Sequence, residues 1–239
     1  MKSRRHCPYG EAQALLMPDR AWEEITMDFI TDLPPGKLDD SVFDAILVIV
    51  DRYTKMNLFL PTTKRCTSVE LADLMLRNVV RHYGLPKGIV SDRGSVFTSQ
   101  YWSDFAYEAR VKRRLSTSYH PQTDSQTKRT NQTLEQYLRY YCSEQQDKWP
   151  AHLAQAEFAV NNSVHHATRM SPFHILYGWH PDIHHLNTSR DDSLEGKVPA
   201  ATERAINMRE TGEKLAEQWR VASESQIKSQ RAHQKLIEY

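Results

Sequence analysis

Asp28 and Asp92 are the side chains of this sequence whose setting suggests chemistry. Asp28 lies in the run Ile25-Thr26-Met27-Asp28-Phe29-Ile30, and Asp92 follows Ile89-Val90-Ser91 and precedes Arg93-Gly94. Carboxylates on neighbouring strands can converge within a few ångströms although a long stretch of chain separates them. Such a pair of hard oxygen donors suits Mg²⁺, which keeps several waters and takes up phosphate oxygens of a substrate. Two such ions about 4 Å apart activate an attacking oxygen and stabilise a leaving one in phosphoryl transfer. Taken alone, the two residues are a weak signal, because a capping Asp and a turn Asp would look the same.

The elements that must position them are legible in outline. Ile25 to Ile30 alternates apolar and polar residues as a half-buried strand does, and Leu33-Pro34-Pro35-Gly36-Lys37 breaks it with a turn. Val42 to Val50 and Met56 to Leu60 follow as two more strands, the first nearly continuous in apolar residues, as a central strand would be. Short connections make the three an antiparallel meander. Thr67-Ser68-Val69-Glu70 has the pattern of a capping box opening a helix that runs to about Tyr83, where Gly84-Leu85-Pro86 stops it. Gly88 to Ser91 is a short strand that delivers Asp92 at its tip. Ser99 to Arg110 reads as a helix, Arg114 to Ser118 as a strand, and Thr123 onward as a long helix with Leu134, Tyr137, Leu138 and Tyr141 on one stripe. Trp149 to Asn161 is another helix. After Pro181 the apolar density falls, and Ala201 to Tyr239 is a polar, charge-mixed, helical tail.

Composition sets bounds on this picture. The chain has 239 residues, 39% hydrophobic and 10% aromatic, which is enough for one full core with extensions. Net charge is +1, so bulk charge says nothing about a polyanionic partner. Locally, residues 109 to 139 hold Arg110, Lys112, Arg113, Arg114, Lys128, Arg129 and Arg139 against Asp124 and Glu135. That excess suits nucleic acid, and equally a solvated basic face. Cys7, Cys66 and Cys142 are odd in number and widely spaced, which fits a reducing intracellular compartment and neither a disulfide framework nor a zinc knuckle. The longest wholly apolar run, Ala45 to Val50, is far short of the roughly 20 residues of a membrane span. His165, His166, His174, His180, His184 and His185 lack the pairing with cysteines that a zinc finger needs, so a metal role is not assigned to them.

Over residues 9 to 181 the chain resembles the catalytic core of gypsy-type retrotransposon integrases, within the retroviral integrase superfamily. The resemblance rests on Pro8-Tyr9-Gly10, Met27-Asp28-Phe29-Ile30-Thr31, Val50-Asp51-Arg52, Gly84-Leu85-Pro86-Lys87 and Ile89-Val90-Ser91-Asp92-Arg93-Gly94. It continues through Tyr119-His120-Pro121-Gln122-Thr123-Asp124, Asn131-Gln132-Thr133-Leu134-Glu135, Ala156-Glu157-Phe158-Ala159, Asn161-Asn162-Ser163 and Met170-Ser171-Pro172-Phe173. The resemblance implies an α/β, ribonuclease H-like fold, a five-stranded mixed sheet flanked by helices, here with a C-terminal helical extension. It implies three parts: an N-terminal extension at 1–20 following a zinc-binding domain, a catalytic core at 21–185, and a linker and helical tail at 186–239.

It also implies a catalytic set of two aspartates and a glutamate 36 positions after the second. Carried over, these are Asp28, Asp92 and position 128, which in this sequence is Lys128; position 125, where the family has glycine, is Ser125. Asp28 and Asp92 would be the ligands of Mg²⁺ or Mn²⁺, with occupancy weakened or abolished by Lys128. An ammonium cannot ligate a metal, and pairing with Asp28 or Asp92 would let it stand where a cation otherwise does. Glu135 is a second carboxylate on the same helix, but seven residues, about 10 Å along the axis, separate it from position 128. His120, Gln122, Gln126, Arg129 and Asn131 would meet DNA near the scissile phosphate, where polar donors beside a helix N-terminus suit phosphate oxygens. Lys112, Arg113 and Arg114 would contact its backbone. The implied partners are the element's DNA ends, target DNA and at least one further copy of the chain, in the nucleus and away from membranes. The implied reaction is metal-dependent end processing and strand transfer, with this copy impaired or inactive. The alternative is a catalytically dead, domesticated scaffold that binds nucleic acid or protein.

Overall fold

The computed structural model describes residues 17–115, 130–132, 134, 135, 138, 142 and 146–181. Strands β1 (Glu24–Ile30), β4 (Ala45–Asp51), β5 (Asn57–Thr62), β6 (Gly88–Ser91) and β7 (Lys112–Leu115) form one sheet in the order β5-β4-β1-β6-β7. β4 pairs antiparallel with both β1 and β5, while β6 runs parallel to both β1 and β7. This is the five-stranded mixed sheet of the ribonuclease H-like fold, with the meander of its first three strands as the apolar patterns require.

Each face of the sheet carries its own core. In β4, all seven residues of Ala45–Asp51 are buried, and alternate ones face opposite ways. Leu47 and Ile49 pack with Ile25, Met27, Leu71, Met75, Phe97 and Trp102. Ile46, Val48 and Val50 pack with Ile30, Phe59, Leu134, Leu138, Trp149, Leu153 and Ala156. The first face is covered by α1 (Ser68–Met75) and α4 (Gln100–Glu108), the second by α5 (Trp149–Asn162) and the helical residues around Leu134 and Leu138. α1 starts at the capping box: Thr67 accepts from the Glu70 amide, and Glu70 accepts from the Thr67 amide. The helix continues through a π segment, Leu76–Val80, and α2 (Arg81–Tyr83), and stops at Gly84, whose φ of 84° glycine adopts without strain. α4 starts just after Ser99, whose side chain accepts the Trp102 amide as a cap, and ends two residues before Arg110.

Four local expectations are corrected. Val42 to Val50 is not one strand: Ser41–Phe43 (β3) pairs with Gly36–Leu38 (β2) in a separate antiparallel ribbon, and the sheet strand starts at Ala45. β2 is drawn onto α5 by Gly36, where a Cβ would fall 2.4 Å from Trp149 Nε1 and 2.7 Å from Pro150. The seventh strand, described over Lys112–Leu115, starts at Lys112 rather than Arg114, because Arg110 turns with φ 56° and the Lys112 amide already bonds Lys87 O at 2.8 Å; residues 116–118 lie outside the described residues. β5 runs on through Pro61, which an edge strand accommodates. Two short helices, α3 (Ser95–Thr98) and α6 (Pro172–Tyr177), were not read from the sequence, being too short to show a period. The expectations for the 1–16 segment and the tail beyond 181 lie outside the described residues. No helix among the described residues is long and apolar enough to cross a membrane.

Because Gly36 sits against an indole, Gly36→Ala is expected to cost about 1–3 kcal/mol by overpacking. Urea unfolding at neutral pH checks this, and an unchanged midpoint would show that β2 does not seat on Trp149.

Candidate active site

β1 and β6 bring the two carboxylates together. The parallel register pairs Met27 with Ser91, so Asp28 and Asp92 are the next residues on adjacent strands, which lie about 4.8 Å apart. Ile25, Met27 and Ile89 point into the first core. The alternation therefore puts Asp28 and Asp92 on the opposite face, the one covered by the helix of Leu134 and Leu138.

The two carboxylates have different surroundings. Asp28 is half-buried; its Oδ1 accepts the Phe29 amide at 2.9 Å, and its Oδ2 accepts Asn131 Nδ2 at 2.8 Å. Asp92 stands exposed just past the end of β6, with Oδ1 accepting the Gly94 amide at 2.9 Å in a tight local turn. A Cβ at 94 would lie 3.0 Å from that same oxygen, so a larger residue would push the carboxylate aside by a few tenths of an ångström. Asn131 is 9% exposed, and its Oδ1 is buried without a hydrogen-bond partner. The sequence reading placed Asn131 against DNA; the structure gives its amide N–H to Asp28. The signal was available, since Asn131 is only three residues beyond position 128 in sequence. Lys128 itself, with His120, Gln122, Gln126 and Arg129, lies outside the described residues.

The donor set fits a hard divalent cation in part. Two carboxylates on one face, one of them exposed, can share an ion that completes its shell with water and phosphate oxygens. Among the described residues no group of three His, Cys, Asp or Glu is assembled. Glu135 lines a cavity of about 460 Å³ beyond the end of β1, together with Ile30, Leu138 and Trp149.

The basic stretch divides once it is folded. Arg114 reaches back across the sheet to Glu24, at 2.7 and 2.8 Å, and Arg52 pairs with the same carboxylate. Arg113 donates to Phe97 O at 3.3 Å, and only Lys112 of the three is exposed. The histidines of 165–180 cap and stack rather than converge: His180 Nδ1 lies 3.1 Å from Ser171 Oγ, and its ring stacks on His174. Sequence reasoning gave Glu157 no role of its own, yet it is half-buried and accepts the Phe59 amide at 2.8 Å; lost hydration pushes its carboxyl up to about 7, while the Phe59 amide pulls it the other way. The sequence hint was an acid enclosed by Ala156, Phe158, Ala159 and Val160.

Residues 18–121 match the family described as the integrase core domain. The chain is 41% identical over 182 residues to the Tf2-3 transposon polyprotein of Schizosaccharomyces pombe, a match covering 76% of this chain and 13% of that protein; the Tf2-4 polyprotein of the same organism gives the same figures. The chain thus spans about an eighth of the length of these relatives. Among solved structures, the cryo-electron-microscopy structure of the simian T-cell lymphotropic virus intasome in complex with the PP2A regulatory subunit B56 gamma matches with TM-score 0.54 and 21% identity, covering 73% of this chain and 60% of that one. At that identity the likeness is one of fold.

Proposed function

With an integrase core domain matched over residues 18–121 as the premise, we propose that the chain is the catalytic core of a gypsy-type retrotransposon integrase whose end-processing and strand-transfer site is disabled by Lys128. The observation that carries this is the parallel register of β1 and β6, which pairs Met27 with Ser91 and so sets Asp28 on β1 beside Asp92 just past the end of β6, with Asn131 bonded to Asp28. The relatives are transposon polyproteins, which supports DNA as the substrate.

Asp28 and Asp92 are the residues that would hold Mg²⁺ or Mn²⁺. Bound there, a divalent ion polarises a phosphoryl oxygen and lowers the pKa of a coordinated water. The chain's own part is positional. β1 and β6 fix the separation of the carboxylates, the Phe29 and Gly94 amides hold one oxygen of each, and Asn131 fixes the second oxygen of Asp28. Lys112 offers a cation to a DNA backbone, at one edge of the sheet. DNA ends, target DNA and a second copy of the chain are the partners this reading requires, and the nucleus is where they would meet.

The test is DNA binding and metal binding measured separately. The folded chain is expected to bind a duplex equally with and without Mg²⁺, to bind Mn²⁺ weakly by calorimetry, and to lose that binding in Asp28→Asn. Duplex binding that requires Mg²⁺ would overturn the disabled-site reading. Absence of duplex binding under all conditions would overturn the DNA-joining reading and leave a protein-binding scaffold.

Asn131 yields a sharper prediction. Ligand-orienting partners of this kind are worth about 10- to 100-fold in metal affinity or activity. Asn131→Ala, made together with Lys128→Glu, is expected to lower strand transfer by about that factor at equal duplex affinity. A loss of duplex affinity instead would return Asn131 to a DNA contact.

A further inference from the structure

Asn131 carries one polar atom that the folded chain leaves unanswered. Its side chain is 9% exposed, and its Oδ1 is buried with no hydrogen-bond partner, while Nδ2 of the same amide donates to Asp28 Oδ2 at 2.8 Å. Buried carbonyl oxygens are nearly always paired, so an orphan beside a carboxylate points to something that binds there. The two ends of an amide are about 2.3 Å apart, which keeps the orphaned oxygen within about 5 Å of Asp28 Oδ2.

Charge decides which end of the amide faces Asp28. With nothing between them, an amide oxygen and a carboxylate oxygen repel, so Asn131 turns its N–H to Asp28, as observed. A cation on Asp28 reverses the sign. Half a turn about the last side-chain bond exchanges Oδ1 with Nδ2, and that torsion is broad and twofold, so the exchange costs little in rotamer energy. The oxygen then stands where the nitrogen does, 2.8 Å from Asp28 Oδ2. Two neighbouring oxygens of an octahedral Mg²⁺ shell, each at about 2.0–2.1 Å from the metal, are about 2.9 Å apart. The observed spacing is already that of two ligands of one ion.

We propose that Asn131 is a cation-responsive ligand: when Mg²⁺ or Mn²⁺ is held by Asp28 and Asp92, the Asn131 amide turns over and its Oδ1 completes a site of two carboxylates and one carbonyl oxygen. This rests on the reading that the two aspartates hold a divalent cation. A neutral amide oxygen adds a hard donor without adding charge, as side-chain carbonyls do in other sites for hard cations. One side chain thus has two tasks. Without metal it orients Asp28 through N–H, and with metal it ligates through the oxygen that is otherwise orphaned.

The experiment records the side-chain amide resonances of Asn131 by ¹⁵N-correlated NMR while Mg²⁺ is added, in the unmodified chain and in Lys128→Glu, with occupancy measured in parallel by calorimetry. The amide protons are expected to lose their hydrogen-bonded shift in step with occupancy, because N–H leaves Asp28. Retention of that shift on a loaded site would overturn the ligation and leave Asn131 as a donor that orients Asp28. Absence of Mg²⁺ binding in both proteins would overturn the cation reading itself, and the ligation with it. A second measurement replaces oxygen by sulfur. Asn131→Cys loaded with Co²⁺ is expected to show a thiolate-to-metal charge-transfer band that the unmodified chain lacks and that adding Asp28→Asn removes. Co²⁺ bound at the aspartates without that band would overturn the ligation.

Discussion

Lys128→Glu is expected to switch on divalent-metal-dependent strand transfer by about a hundredfold or more over the unmodified chain. The resemblance to retrotransposon integrases puts the third carboxylate at this position, and an ammonium there fails twice. It supplies no oxygen ligand, and it adds a fixed positive charge to a site that would receive dications. At 4 Å and an effective dielectric of about 20, a unit charge facing a dication is disfavoured by roughly 8 kcal/mol before relaxation and screening. If only a third of that survives, about 2.7 kcal/mol, the rate falls by about a hundredfold. The assay is joining of a labelled element-end duplex to target DNA with Mg²⁺ or Mn²⁺, with Asp92→Asn added to Lys128→Glu as a control that should abolish the gain. Joining by the unmodified chain at the level of the Glu variant would mean that another group completes the site. Glu135, on the cavity wall beyond β1, is the residue to mutate next in that case.

Asp51→Ala is expected to cost about 3–5 kcal/mol of folding stability, a large share of the 5–15 kcal/mol that holds a typical domain together. Asp51 closes β4 with no exposed surface. Its carboxylate accepts the Trp22 amide at 3.0 Å, the Tyr53 amide at 3.2 Å, the Thr54 amide at 2.9 Å and the Thr54 hydroxyl at 2.6 Å. Alanine would orphan these donors, each at about 1–3 kcal/mol if water does not replace the acceptor. The same loss strips nearby cations of an opposing charge. Lys55 is 6% exposed and donates from Nζ to Arg52 O at 2.6 Å. Burial pulls its pKa down, the charge of Arg52 adds to that, and Asp51 opposes both. Guanidinium unfolding should show the drop in midpoint, with Asp51→Asn falling between alanine and the unmodified chain. A change below about 1 kcal/mol would mean that the β4–β5 turn is held by its backbone alone.

Asp51 illustrates how sequence and structure divide the explanation. The motif Val50-Asp51-Arg52 was legible as part of a family signature, but nothing in it said that the aspartate is a buried anchor for a turn rather than a site residue. Asp28 and Asp92 were legible in the same way and are brought together by the sheet. Arg114 shows the reverse. It belonged to a basic run that suggested DNA, and the fold spends it on Glu24, 90 residues away in sequence. A linear count of charges cannot see that partner.

What the sequence determined by itself were features carried by a few adjacent residues. The capping box at Thr67 and Glu70 marks a helix start because its hydrogen bonds close within one turn. The buried run Ala45 to Val50 marks a central strand because both faces are apolar, and Gly84-Leu85-Pro86 marks a stop because of its backbone chemistry. The tertiary structure decided everything that depends on register between distant segments: Met27 beside Ser91, Asn131 on Asp28, and Glu157 and Asn161 on the edge of β5. Register is chosen by the packing of whole faces, where a shift of one residue turns every side chain to the wrong side. Local pattern holds only a small part of that free energy, and so it offers candidate residues without saying which of them meet.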